Sequence, residues 1–155
     1  MVKTMKIYGI SDGAVLQRSD KDVCSTVIGG DFDGVLRSSK GTVEKISECE
    51  YRLTGIPAGG PYDITLSDDS GRLTLNDIYV GDVWLLAGQS NMEGAGRMRE
   101  KDYEYEKSPD TSVRALYMDD EWRPAAARLH QLWLSSDPAH IAAFGADKKN
   151  HDGRA

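Results

Sequence analysis

Cysteine is scarce in this chain, with two residues, Cys24 and Cys49, among 155. Two are too few to define a disulfide framework. Both sit in or beside strand-like runs, where a free thiol acts as a small hydrophobe; a single bridge between them is the other option. Positive charge is also short: 19 Lys and Arg against 25 Asp and Glu leave a net charge of −6. Phosphate binding needs a basic face, so nucleic acid is excluded as a partner. No apolar run approaches the roughly 20 residues that a helix needs to cross a bilayer, and no membrane partner is expected. The opening Met1-Val-Lys-Thr-Met-Lys-Ile7 has no apolar core after its lysines, so it does not read as an export signal. The compartment stays unassigned on this reading, with the cytoplasm slightly favoured over secretion.

Metal and dinucleotide patterns are missing as well. No His or Cys spacing suits zinc. Asp31-Phe-Asp-Gly34 sets two carboxylates before a glycine but lacks the rest of a calcium loop, and reads as a tight turn. Gly94-Ala-Gly-Arg-Met-Arg99 starts like a dinucleotide loop, yet Arg99 stands where the third glycine belongs. Neither cofactor nor metal is implied. There is no Asn-x-Ser/Thr sequon, internal repeat or low-complexity tract.

What is present is a soluble, globular composition, 39% hydrophobic and 28% charged, in a chain long enough for one sizeable core or two small ones. The first half reads as short strands between turn signals. Lys6–Ile10 and Ala14–Leu16 flank Asp12-Gly13, and Val23–Ile28 ends at Gly29-Gly30. Val35–Arg37, Thr42–Ile46 and the alternating Tyr51 and Leu53 follow. Pro57-Ala-Gly-Gly-Pro61 is expected to be a loop, rigid at both ends. Tyr62, Ile64 and Leu66 then alternate with Asp63, Thr65 and Ser67, the pattern of a half-buried strand. After the Asp68–Gly71 turn, Leu73 and Leu75 belong to one more strand. This spacing predicts a β-sandwich over residues 1–77.

The sequence then changes character at Val80-Gly-Asp-Val-Trp-Leu-Leu-Ala-Gly-Gln-Ser-Asn-Met-Glu93. Val83–Ala87 is wholly apolar and reads as a strand buried on both faces, as in a parallel sheet. It stops at Gly88, and Gln89, Ser90 and Asn91 follow. A hydroxyl lifted off the end of a buried strand behind a glycine is where α/β hydrolases keep their nucleophile. The second glycine of the usual Gly-x-Ser-x-Gly elbow is absent, because Met92 occupies it. Gly88-Gln-Ser-Asn-Met92 instead resembles the first sequence block of the SGNH hydrolases, and the longer string, Val80-Gly-Asp-Val-Trp84 followed by Gly88-Gln-Ser-Asn-Met-Glu93, is similar to their sialate O-acetylesterase and acetylxylan-esterase-like branch. Gly13-Ala-Val-Leu-Gln-Arg18 is similar to a segment that opens the same esterases, and Pro57–Tyr62 to the loop leading into the last strands of their β-domain. The likeness runs from about Asp12 to Met98, three matches in the right order.

The resemblance implies a flavodoxin-like α/β hydrolase domain beginning at residue 78, so the expected class is mixed β then α/β. It implies serine-dependent removal of acetyl groups from acetylated sugars, such as sialic acid or hemicellulose units. Ser90 is then the nucleophile, with Gly88, Gln89 and Asn91 positioning the oxyanion or substrate. As a plain reading, Ser90 also suits a helix N-cap, a role compatible with the first. Glu93 reads as a carboxylate at a helix start.

A serine hydroxyl stays a weak nucleophile until a base, usually a histidine held by a carboxylate, takes its proton. The family's later glycine and Gly-x-Asn-Asp blocks find no match here. Asp137-Pro-Ala-His140 has the form of the family's terminal dyad but follows only one or two βα units. Asp137 and Pro138 read better as the cap and first residue of a helix. His130 reads as a helix-surface or packing residue and His151 as part of a polar tail. Val113–Met118 is the next strand, and Ala125–Leu134 a short helix. The 78–155 stretch is therefore expected to be the N-terminal part of the hydrolase domain and inactive by itself, complemented by a C-terminal portion or a second copy. The competing reading is a carbohydrate-binding or assembly β-module without turnover.

Overall fold

Alternating apolar and polar residues between glycine and aspartate turns produce eight strands in the first half of the chain. In the computed structural model, residues 5–88, 110–126 and 134–144 are described. The strands are β1 (Ile7–Tyr8), β2 (Val15–Gln17), β3 (Val23–Gly30) and β4 (Val35–Ser38), then β5 (Thr42–Ser47), β6 (Glu50–Pro57), β7 (Gly59–Asp68) and β8 (Gly71–Gly81). They form two four-stranded sheets, ordered β1-β3-β6-β5 and β2-β8-β7-β4. Each pairing is antiparallel except that of β2 with β8, which is parallel. The strands flanking Asp12-Gly13 therefore go to different sheets.

Both sheets bury one side of their alternation. Cys24, Ile28, Tyr51, Leu53 and Ile56 are the buried residues of the first sheet; Leu16, Leu36, Ile64, Leu66, Leu75, Ile78 and Val80 are those of the second. Phe32, between β3 and β4, stacks on Tyr51 with ring centroids 5.3 Å apart, and the Tyr51 hydroxyl donates to the Gly34 carbonyl. Two bulges keep the inward sets in phase. Leu53 and Ile56 are three residues apart yet both buried, because Gly55, at φ 69°, adds a residue opposite the step from Cys24 to Thr26. Asp77, at φ 56°, does the same between Leu75 and Ile78, where the pairing with β7 shifts from Ile64 to Tyr62. Without that extra residue Ile78 and Val80 would face outward.

Two expectations need correction here. Pro57–Pro61 is not a loop: β6 runs to Pro57 and β7 starts at Gly59, leaving Ala58 alone between them. Each strand has its partner there, Pro57 opposite Val23 and Gly59 opposite Val80, and pairing overrides the turn signal of the sequence. Val83–Ala87 is not a buried strand. It has no strand partner, and Trp84, Leu85 and Leu86 are 81%, 92% and 66% exposed. A strand exists only through its ladder, and β8 makes its last pairing at Gly81. Among the described residues the chain is thus mostly β-strand, with one short helix, and no α/β layer is seen. The two cysteines are free, Cys24 buried and Cys49 exposed.

The chain divides into two compact units, Met1–Val83 and Trp84–Ala155. In the second, β9 (Arg114–Leu116) and β10 (Trp122–Pro124) form an antiparallel hairpin, with Asp120 at φ 61° in its turn. The Arg123 guanidinium lies 4.3 Å from the Tyr117 ring centre and 2.9 Å from the Asp119 carboxylate. α1 spans Pro138–Phe144, and the Asp137 carboxylate accepts the Ala139 N–H at 2.8 Å, which is the expected N-cap. The helix expected over Ala125–Leu134 lies mostly outside the described residues.

Candidate active site

The segment that precedes Ser90 in sequence follows the end of β8. Val80 is buried between two strands: it pairs with Leu16 of β2 in parallel and with Gly59 of β7 in antiparallel fashion. Three stretches far apart in sequence, Gly13–Arg18, Pro57–Tyr62 and Val80–Val83, thereby meet on adjacent strands. Their packing is close. A β-carbon on Gly60 would lie 2.7 Å from the Tyr79 ring and 2.8 Å from the Ile78 carbonyl, and φ there is 146°. Only glycine fits such an approach.

Beyond the ladder, the end of β2 grips the chain as it departs. The Arg18 amide donates to the Gly81 carbonyl at 2.9 Å. Its guanidinium spans both oxygens of Asp82, Nε to Oδ1 at 2.9 Å and Nη2 to Oδ2 at 3.0 Å, and also reaches Asp22. Gln17 accepts the Val83 N–H on Oε1 at 2.8 Å while its amide donates to the Arg18 carbonyl. Paired carboxylates, Asp82 foremost, hold the Arg18 guanidinium well above its ordinary range. In return the Arg18 hydrogen bonds hold the Asp82 carboxyl below the ordinary value of 3.8, against an opposing desolvation. The groups are solvent-exposed, so this grip adds little to global stability. What it holds is the backbone of Gly81 and Val83 and the side chain of Asp82.

Of the residues expected at the site, Gly88 lies at the exposed end of the 82–88 segment. Gln89, Ser90, Asn91 and Glu93 lie outside the described residues, as do His130 and His151. The backbone of His140 is in α1, whose cap is Asp137. The structure thus brings together the surroundings of the approach rather than the reacting groups. Sequence reading missed the pairing of Arg18 with Asp82, 64 residues apart. Its one signal was that each residue falls inside a block carrying the family likeness.

A family model described as carbohydrate esterase, sialic acid-specific acetylesterase, matches residues 80–148. Over those residues the chain is similar to that acetylesterase family. The acetylesterase-like match begins at Val80, the residue on which the three blocks converge. Among solved structures, the chain is similar to a novel carbohydrate acetylesterase from Xanthomonas citri, with a TM-score of 0.56 and 26% identity over 77% of this chain. That alignment covers 32% of the Xanthomonas protein, so the chain spans about a third of its length. No curated protein sequence matches. Both likenesses are to carbohydrate esterases, a class of carboxylic ester hydrolases.

Proposed function

We propose that this chain carries the nucleophile-bearing part of a serine-dependent carbohydrate O-acetylesterase, acting on acetylated sugars such as sialic acid or hemicellulose units. The observation that supports this most is the convergence of Gly13–Arg18, Pro57–Tyr62 and Val80–Val83 around one strand end, at the start of the acetylesterase match. A carbohydrate-binding module has no need to hold such a strand end, or to follow it with Gly88-Gln-Ser-Asn-Met92. In this reading the two sheets of the first unit form a sandwich, and an α/β hydrolase domain follows β8 rather than starting at residue 78, which is buried inside that strand.

Ser90 Oγ attacks the acetyl carbonyl as its proton passes to a base, and the carbonyl oxygen becomes the tetrahedral oxyanion. The Ser90 N–H is one donor to that oxygen, with Gly88, Gln89 and Asn91 around it; each such donor contributes about 3–4 kcal/mol where measured. Collapse expels the sugar hydroxyl, which takes the proton back, and leaves an acetyl-serine. Water then repeats the sequence, releasing acetate and restoring the hydroxyl. Asp137 and His140 are not the dyad, since Asp137 is used as a helix cap.

The test is labelling with an organophosphorus serine probe, followed by peptide mapping, alongside acetate release by the Ser90→Ala variant. A covalent adduct at Ser90 and a loss of several orders of magnitude in kcat are expected, because nucleophile and base act as a unit. Full activity in the alanine variant overturns the reading.

A further inference from the structure

We propose that the outward face of the first sheet, around Gly29, is a docking platform for the uncharged sugar units of a polysaccharide, with Tyr8 as the surface on which a ring rests. The inference rests on the reading of the chain as part of a carbohydrate O-acetylesterase and narrows its substrate to a neutral, hemicellulose-type glycan. It uses residues of the first unit alone.

Strand pairing lays out the platform. Tyr8 of β1 lies opposite Gly29 of β3, Gly29 opposite Glu50 of β6, and Glu50 opposite Ser47 of β5. Residues directly opposite one another share a face, so these form one row across the sheet. Val27, Arg52 and Glu44 form the next row, two positions along β3 and β6. Their neighbours Ile28, Tyr51 and Leu53 are buried, which puts both rows on the outward side. Tyr8 and Val27 are 61% and 43% exposed there, each beside Gly29.

Gly29 carries the inference. Its neighbour Gly30 is required by packing, because a β-carbon there would lie 2.3 Å from the Lys6 carbonyl and 2.6 Å from the Phe32 ring. At Gly29 a β-carbon would make only ordinary contacts among the described residues, to the Cys49 carbonyl at 3.6 Å and Glu50 Cγ at 3.7 Å. Its φ also lies outside the left-handed region. Neither packing nor backbone conformation calls for glycine here, and a glycine inside a strand weakens it. The Tyr8 ring does not cover the gap, since no atom of it comes within 4 Å of that point. What remains is a hollow in the sheet face, with Tyr8 and Val27 on its apolar sides and Glu50 on its polar side. A strand glycine of this kind marks the close approach of a ligand.

The hollow matches a sugar ring, which has an apolar face of C–H bonds and a rim of hydroxyls. Tyrosine offers such a face a large, rigid surface at low entropy cost. Glu50 accepts the Ser47 hydroxyl on Oε2 at 3.2 Å, and its Oε1 takes a sugar hydroxyl. From Tyr8 to Glu50 the row spans two strand spacings, about 10 Å, room for a ring laid flat. Charge selects the class. Arg52 is paired with Glu44 at 3.1 Å. Exposed Lys6, two positions before Tyr8, is offset by Glu50, and Glu48 follows in the β5–β6 turn. The platform has no positive excess, in a chain of net charge −6, so a carboxylate-bearing sugar gains nothing from it.

The experiment measures binding by titration calorimetry in the natural gene product carrying Ser90→Ala, so that no substrate is consumed. Xylohexaose is the neutral probe and a sialylated oligosaccharide the acidic one. Xylohexaose is expected to bind with an affinity that stays level from about 20 to 500 mM salt. Tyr8→Ala weakens that binding by about tenfold or more, and Tyr8→Phe by less than about threefold. Gly29→Thr fills the hollow with a strand-favouring residue, so binding falls as in Tyr8→Ala while the thermal midpoint holds or rises. A merely structural glycine gives no such opposition of binding and stability. With Ser90 present, kcat for a small chromogenic acetate is unchanged in both variants. Should Gly29→Thr fail to fold, Tyr8→Ala carries the test alone. No binding of xylohexaose, wild-type affinity in Tyr8→Ala or in folded Gly29→Thr, or tighter binding of the sialylated probe overturns the platform. Acetate release that survives Ser90→Ala removes the nucleophile reading instead and leaves the binding result standing.

Discussion

Tyr51 offers the sharpest test of how the first unit is held. Its side chain is buried in β6, its ring stacks at 8° on Phe32, and its hydroxyl donates to the Gly34 carbonyl ahead of β4. One residue thus joins a strand of the first sheet to the connection entering the second. Replacing Tyr51 with Phe keeps the ring and its stacking and deletes one hydrogen bond. Gly34 is half-buried, so water can partly replace the lost donor and the cost is about 1 kcal/mol. For a unit of this size 1 kcal/mol lowers Tm by about 4–8 °C. Tyr51→Ala removes the ring and leaves a cavity, costing about 3–5 kcal/mol, enough to lower Tm by well over 10 °C. Stacking itself accounts for about 0.5–1.5 kcal/mol, measurable in a Phe32→Leu, Tyr51→Leu double-mutant cycle. Thermal and urea unfolding followed by circular dichroism would report these values, with the urea slope unchanged in Tyr51→Phe. Two results refute the reasoning: a Tyr51→Phe midpoint within 1 °C of the parent, or one as low as that of Tyr51→Ala.

Further outcomes are expected elsewhere. Burial raises the Cys24 thiol pKa, so a thiol reagent at pH 8 should modify exposed Cys49 and leave Cys24 untouched until the protein unfolds. The raised pKa gives stability that is full below the ordinary thiol value of 9.0 and is lost as pH climbs past it, a loss Cys24→Ala should not show in pH-dependent urea melts. Asp82 has the opposite sign: its lowered pKa gives an attachment present above pH 3.8 and lost on acidification, seen as faster exchange of the Val83 amide. Gly60→Ala should lower Tm substantially, since the new methyl meets the Ile78 carbonyl and the Tyr79 ring. Residues 1–155 alone should not turn over a chromogenic acetate, because Trp84, Leu85 and Leu86 stand uncovered on the path to Ser90; steady turnover lost in Ser90→Ala would refute this. His140→Ala should keep most of kcat in the natural gene product.

Much of the first unit is legible in the sequence because period-two alternation reports directly on burial. Ile64 and Leu66 are buried where the pattern puts them, and so are Tyr51 and Leu53. The same rule reads a face and not a partner. It gives no sign that Val15–Gln17 would lie parallel to Tyr79–Gly81 rather than pair with its neighbour across Asp12-Gly13. Bulges escape it too, since Asp77 resets the phase through one backbone angle. For Val83–Ala87 apolar content signals a need for cover, but cover is supplied by other segments, so composition alone overstates burial. Trp122–Pro124 is too short to show any period, and ends in a proline that argues against a strand. The Asp137 cap is legible because it is local: one carboxylate, one proline and two residues of spacing decide it.

The parallel seating of β2 on β8 also sets an order of events in folding. Gln17 and Arg18 meet Val83 and Asp82, 66 and 64 positions away in sequence, only after the chain between them has been closed into a loop. Hairpins such as β7–β8, joined by a two-residue turn, need no such closure and form early. β2 must therefore wait for β8, the last strand of its sheet, before it has a partner. Until then β8 has an open edge at Tyr79–Gly81, where a second chain could add its own strand. Closure of that edge by β2 is the slow step to look for in refolding. The same step joins Gln17 and Arg18 to Asp82 and Val83, so the contacts at the end of β8 form last.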